Sequence, residues 1–229
     1  MIEDPPLLQI RRRFPRPSPD LVGRFAGIPT EHLVDAMDGR GALDYRLRPI
    51  SGPPTTFIGP AVTCLCAPGD HLAIAATLAV VQQGDVIVAA TDAHTTLAVV
   101  GRRITGMARN RGVAAVVTDG LARDTEGIRQ SGVPVVCAGV TPNSAAAAGP
   151  GTVGQPVVIG GIAVASGDIV VGDADGVVVI PLWRVDEVLI RLEGVRAREA
   201  DLAGKLAAGL GVPRRVTELM ASPRVRYLD

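Results

Sequence analysis

Near the middle of the chain, the segment "VTDGLARDTEG" sets Arg123 directly before Asp124, with Gly120 just ahead of them. The pair follows the apolar run "VAAVVT", which reads as a strand covered on both faces. Both side chains therefore fall at the carboxyl end of a strand, where open α/β sheets bind ligands. A guanidinium offers a planar fork that grips a carboxylate in two places. An aspartate is a hard oxygen ligand suited to magnesium or manganese. The same residues have a plainer reading, in which Asp124 caps the helix after it and Arg123 pairs with a surface acid.

A second candidate is Gly101-Arg102-Arg103-Ile104 within "TTLAVVGRRITGMARNRG". If a helix begins near Gly101, its free backbone N–H groups form an anion site. If it begins at Thr95, those groups are already taken up inside the helix. The three histidines, His32, His71 and His94, form no His-x-His or Glu-x-x-His pair, which argues against zinc held by nitrogen and sulfur. His32 falls in the first turn of one expected helix and His71 opens another, positions typical of surface or capping residues. Cys64, Cys66 and Cys137 lack CxxC spacing and read as buried free thiols, the first two on one strand face. "GPGTVG" at 149–154 has the letters of a dinucleotide loop, but strands follow it rather than a helix. Lys205 is the only lysine and lies in the expected terminal helix, so no Schiff-base lysine is placed.

These residues must be held by a fold that composition constrains. Of 229 residues 47% are apolar and only 3% aromatic, so the core is built from Val, Ala, Leu and Ile. Basic and acidic residues balance at 23 each, which gives no net field to attract nucleic acid or an anionic membrane. No run reaches the roughly 20 apolar residues that span a bilayer. Arg11, Arg12 and Arg13 precede Pro-rich sequence rather than an apolar stretch, so no signal peptide is expected and the location implied is cytoplasmic.

Along the chain, residues 1–20 read as an extended arm, either free or packed on a neighbouring subunit, and a domain spans 21–208. Two short helices come first, the second with Thr30 as N-cap, Leu33, Val34 and Met37 inward, and Gly39 and Gly41 ending it. A strand at Thr63–Cys66, a helix over 71–82 and the strand "GDVIVAATD" follow. Then come a helix to about Arg111, the strand "VAAVVTDG", a helix near 124–131 and the strand "VPVVCAG". This alternation predicts parallel βαβ units. Residues 149–181 have no helical period and read as antiparallel hairpins, with Asp175-Gly176 in a turn. From 182 to 208 Val185, Val188, Leu189, Leu192, Val195 and Leu202 recur at helical spacing. Residues 209–229 are left as a tail. The terminal helix is longer than one domain needs, which invites packing on another subunit.

Together "PGDHLAIAATL", "GDVIVAAT", "GVAAVVTDGLARD", "SGVPVVCAGVTP" and "SGDIVVGDADGVVVIP" resemble the RraA-like family. That family includes the 4-hydroxy-4-methyl-2-oxoglutarate / 4-carboxy-4-hydroxy-2-oxoadipate aldolases and the regulators of ribonuclease activity. The resemblance runs from about Thr30 to about Ala208. It implies a swivelling β/β/α domain in a trimer or dimer of trimers, with sites between subunits. It also implies a Mg2+- or Mn2+-dependent pyruvate lyase acting on a small 2-oxo acid, without nucleic acid or membrane partners. By the same resemblance Asp124 holds the metal, Arg123 binds the pyruvyl end, Gly101 to Ile104 supply backbone amides, and Glu199 of a neighbouring copy assists the metal. The aldolases carry an Asp-x20-Arg-Asp pattern whose first Asp falls at position 102, where this chain has Arg102. Arginine there removes an acceptor for metal-bound water, or grips a second substrate carboxylate. Two other classes fit the fold type: a non-catalytic binder that inhibits a ribonuclease, and a phosphohistidine carrier, for which no well-placed histidine is seen.

Overall fold

Short runs of Val, Ala and Ile form the strands at the centre of the fold, as small and β-branched residues do when both faces of a sheet are covered. A computed structural model describes residues 6–53 and 55–228, so residues 1–5 of the expected arm and Asp229 lie outside the described residues. In its first half the strands are β1 (Leu8–Ile10), β2 (Arg48–Pro49), β3 (Phe57–Cys66), β4 (Val86–Ala90), β5 (Ala98–Val100) and β6 (Ala115–Thr118). The second half adds β7 (Leu121–Ala122), β8 (Val135–Cys137), β9 (Gly139–Val140), β10 (Gly151–Val153) and β11 (Val157–Ile159). The last three strands are β12 (Ile162–Val164), β13 (Ile169–Gly172) and β14 (Val177–Ile180). The helices are α1 (Pro19–Gly23), α2 (Thr30–Ala36), α3 (Leu72–Thr77), α4 (Arg102–Asn110), α5 (Thr125–Ser131), α6 (Val185–Ala207) and α7 (Arg214–Met220).

The expected βαβ units are present. β3, β4, β6 and β8 pair in parallel, in register through Val62–Ile87, Ile87–Val116 and Val116–Val135. The crossovers place α3, α4 and α5 on one face, where Ile74, Ile104 and Ile128 meet Val62, Ile87 and Val116. The other face buries Val86, Val88 and Val117 against Val157, Val164 and Val179. β3 serves both halves of the molecule, pairing antiparallel with β13 through Phe57–Pro60 and parallel with β4 through Ala61–Leu65. The hairpins of 149–181 are seen as β11–β12 and β13–β14. Gly160 and Gly161, with φ of 52° and 80°, make the two-residue turn between β11 and β12, where both central residues need positive φ. A third cluster packs Leu33 and Met37 of the α2 segment and Val188 and Leu192 of α6 on Ile169 and Ile180.

Four local expectations differ from the structure. Thr30 is the first helical residue rather than the N-cap, which is Pro29. The cap comes from the β13–β14 loop, where Asp173 accepts from Thr30 N and Thr30 Oγ1, both at 2.9 Å. The helix expected over 71–82 stops at Thr77, because the next bonds tighten to Val80 N→Thr77 O and Ala79 N→Ala76 O. The described part of the amino-terminal arm lies along its own domain: β1 pairs with β10, and Arg16 Nη1 bonds the buried Asp85 at 2.6 Å. Finally, α6 is buried only as far as Val195. Leu202, expected inward, is exposed, and so is most of the chain beyond it.

The feature that positions the site is a second tier of strands. β4, β6 and β8 each run on past their carboxyl ends into β5, β7 and β9, which form a separate three-stranded parallel sheet. Asp119, buried between β6 and β7, ties the tiers together by accepting from Thr91 N (2.7 Å), Thr91 Oγ1 (3.0 Å) and Ala93 N (3.0 Å). These bonds hold Asp92 and Ala93 in the left-handed region, with φ of 53° and 54°, which non-glycine residues rarely adopt. We expect Asp119→Ala to lower stability by about 2 kcal/mol through orphaned donors, measured by urea unfolding. An unchanged midpoint would mean that the loop is held by other contacts.

Candidate functional site

Each strand of the second tier ends in a loop that faces the same cavity, of about 800 Å³. Gly101 to Ile104 follow β5, Arg123 and Asp124 follow β7, and Pro142 and Ser144 come after β9. The strands set their spacing directly: Arg123 N donates to Val100 O at 2.9 Å. Gly101 is needed by proximity rather than by its φ of −163°, since a Cβ there would lie 3.2 Å from Arg123 Cγ and 3.3 Å from Arg123 O. The Arg123 side chain is half-buried, lies against Gly101 and makes no ion pair among the described residues.

The helix question is resolved in favour of the later start. α4 begins at Arg102 with Gly101 as an extended N-cap and no capping side chain. Its first-turn N–H groups, including those of Arg103 and Ile104, therefore have no intrahelical acceptor and carry the positive end of the helix dipole at the cavity wall. The Ile104 side chain is buried in the core, so this residue offers the cavity only its backbone.

Asp124 is the N-cap of α5, as its plainer reading required, and holds a left-handed conformation with φ and ψ of 57°. Its Oδ1 accepts from Gly127 N at 3.1 Å, but its Oδ2 faces Arg102 Nε at 3.3 Å. Asp124 is thus paired with Arg102, not with Arg123. Both partners are exposed, at 45% for Asp124 and 70% for Arg102, so the pair contributes no more than about 1 kcal/mol. Arg102, Arg103 and Arg123 line the cavity against the single carboxylate of Asp124. Such a wall favours a small anion with more than one negative charge.

Two polar lining side chains were not singled out from the sequence for this cavity. His71 reaches it from the N-cap position of α3, and Ser144 from the loop after β9. Next to His71, buried Asp70 accepts from Leu72 N (2.7 Å), Ala148 N (2.5 Å) and Gly149 N (3.0 Å), while Ser144 is placed by its bridge to Ala98 of β5. The available signal was "PGDH" at the carboxyl end of β3, the same sheet edge that presents Arg123. His32 and His94 lie elsewhere. Glu199 sits on the exposed distal half of α6 and does not line this chain's own cavity.

Cys64, Cys66 and Cys137 are buried free thiols, as expected. Burial pushes the Cys137 thiol up, away from reactive thiolate. A second acidic group, Glu31, Asp173 and Asp175, brings three carboxylates within 4.8 Å. The oxygens of Asp173 already accept from Thr30, Asp175 and Gly176, which marks the group as a cap for α2 and its facing turn.

With this geometry in view, comparison with known proteins is informative. Residues 30–179 match the RraA-like family, described as Aldolase/RraA. A Halalkalibacterium halodurans protein named "Putative 4-hydroxy-4-methyl-2-oxoglutarate aldolase" is 32% identical over 204 residues, covering 89% of this chain and 97% of that one. The crystal structure of an uncharacterized protein from Pseudomonas syringae pv. tomato superposes with a TM-score of 0.74 at 26% identity, covering 86% and 96% of the two chains. Streptomyces coelicolor RraAS2, described as an unusual member of the RNase ES inhibitor RraA family, gives 0.72 at 26% identity, covering 86% and 100%.

The cap and the charge of Asp124 are separable. Asn caps helices as well as Asp and also tolerates the left-handed region. We expect Asp124→Asn to unfold in urea within about 0.5 kcal/mol of the parent and Asp124→Ala to lose about 1–2 kcal/mol. Equal losses would mean that the charge, not the cap, stabilises α5.

Proposed function

The chain belongs to the RraA-like family, and within it we propose a divalent-metal-dependent carbon–carbon lyase that cleaves a 4-hydroxy-2-oxo diacid to pyruvate. The observation that carries this reading is the placement of Arg123 and Asp124 on one cavity wall beside the uncapped start of α4. The relative from Halalkalibacterium halodurans supports the reaction class.

The donor chemistry fits a hard dication. Magnesium keeps several waters and takes only one or two carboxylates. Asp124 is the carboxylate lining the cavity among the described residues, and its Oδ2 is already turned toward a cation, the Arg102 guanidinium. Asp124 would hold Mg2+ or Mn2+, with Glu199 of a neighbouring copy assisting. When bound, the ion supplies Lewis-acid polarisation of the substrate's ketone oxygen. Arg123 binds the adjacent carboxylate and offsets charge growing on that oxygen. The N–H groups at the start of α4 fix the same end of the substrate, and Arg102 and Arg103 face its distal carboxylate. A water held at Arg123 carries the proton from the 4-hydroxyl to C3 as the C3–C4 bond breaks. Loss of carbon dioxide from oxaloacetate places the same charge on the same atoms, so that decarboxylation accompanies the cleavage.

A homo-oligomer, a trimer or dimer of trimers, completes this reading. Leu202, Leu206, Val216 and Leu219 are exposed on α6 and α7, more apolar surface than a free helical arm leaves in water. Among the described residues no helix is long and apolar enough to cross a membrane. The second reading is a non-catalytic binder of a ribonuclease or another protein, and the Arg102–Asp124 pair is the observation that favours it.

Pyruvate release from 2-oxo-4-hydroxy diacids separates the two. We expect release that needs Mg2+ or Mn2+ and falls at least about 100-fold in Asp124→Asn and in Arg123→Ala, as for loss of a group that stabilises developing charge. Turnover without metal, or turnover unchanged in Asp124→Asn, contradicts the lyase. No turnover on any 2-oxo acid, with tight binding to a protein partner, establishes the binder.

A further inference from the structure

We propose that Arg102 is a built-in counter-cation that competes with the divalent ion for Asp124, so that the identity of residue 102 sets the metal affinity of this site. The inference rests on the metal reading of Asp124. Its own evidence is the way the two helix starts meet. Arg102 opens α4 and Asp124 caps α5, and Arg102 Nε reaches Asp124 Oδ2 at 3.3 Å.

The approach is made possible by a missing side chain. A Cβ on Gly127 would lie 2.6 Å from Arg102 Cδ, 2.7 Å from Arg102 Cβ and 2.8 Å from Asp124 Oδ2. The first contact could be relieved by a rotamer change. The second could not, because Arg102 Cβ is fixed to the helix backbone. Bare Gly127 therefore forms a cradle across which the aliphatic stem of Arg102 lies, while its N–H holds the other oxygen of the same carboxylate. Asp124 is thus fixed on Oδ1 by a neutral donor and on Oδ2 by a cation.

A divalent ion that approaches Oδ2 must displace that guanidinium or share the carboxylate with it. Either route weakens binding, the first by the lost pair and the second by repulsion between like charges at close range. For groups this exposed, the two effects together amount to about tenfold in affinity. Arg102 is free to move, since it is largely exposed and has no other ion pair among the described residues.

The test is Mn2+ binding to the full chain, followed by the electron-spin signal of the free ion and requiring no turnover. Arg102→Ala is expected to bind Mn2+ about tenfold more tightly than the parent, Arg102→Lys within about threefold of it, and Arg102→Ala/Asp124→Asn to lose the gain. Thermal unfolding of each variant reports whether the fold is kept, and the exposed position of Arg102 predicts little change. If Asp124→Asn weakens Mn2+ binding but Arg102→Ala leaves it unchanged, the competition is overturned while the metal reading stands. If Asp124→Asn does not alter Mn2+ binding, the metal reading itself falls, and the inference falls with it.

Discussion

The arrangement depends on one close approach, between the first turn of α4 and the first turn of α5 above the second tier of strands. The tier brings β5 and β7 side by side, so the residues that leave them, Gly101-Arg102 and Arg123-Asp124, emerge together. Gly101 yields room to Arg123, and Gly127 yields room to Arg102. A methyl group at Gly127 would force the two segments apart, and one at Gly101 would crowd Arg123 by a few tenths of an ångström. The chemistry of the cavity follows from this contact: uncapped amides from one helix, a fixed carboxylate from the other, and guanidiniums around both. Asp119 and Asp70, both buried and both bonded to backbone N–H groups, keep the surrounding loops at the right height.

Much of this was legible in the sequence, for identifiable reasons. The buried parallel strands are continuous Val, Ile and Ala runs, and their alternation with short helical segments dictates βαβ crossovers. Paired glycines at 160 and 161 mark a tight hairpin turn. Arg123 and Asp124 stand out because a guanidinium and a carboxylate come together just past the carboxyl end of the apolar run that forms β6. What the sequence hid lies below the length at which periodicity speaks. β7 and β9 are two residues each and β5 is three, so the second tier leaves no pattern to read. The cap of α2 was hidden for another reason: it comes from Asp173, far along the chain, where sequence suggests the local hydroxyl of Thr30. His71 was visible as a residue but not as a wall of the cavity, because that depends on Asp70 bonding across to Ala148.

Substitution at position 102 gives the site its individual character. The pattern of the aldolases resembled here carries an acid there, which would add a second negative group near a metal. In this chain a cation takes that place and neutralises the carboxylate that would anchor the ion. The same exchange enriches the wall in positive charge, which suits a substrate with two carboxylates. On the proposal made above, one residue shifts the balance between holding a dication and holding a dianion. This balance also separates a lyase from a family member that only binds, since a binder has no need for an unpaired Asp124.

Crystals of the full chain soaked in Mn2+ and measured at the manganese absorption edge test the account most directly. It predicts an anomalous peak at roughly 2–2.5 Å from an Asp124 carboxylate oxygen, with the Arg102 side chain swung away from Oδ2. A peak confined to Glu31, Asp173 and Asp175, or no peak while Arg102 stays on Asp124, would contradict it.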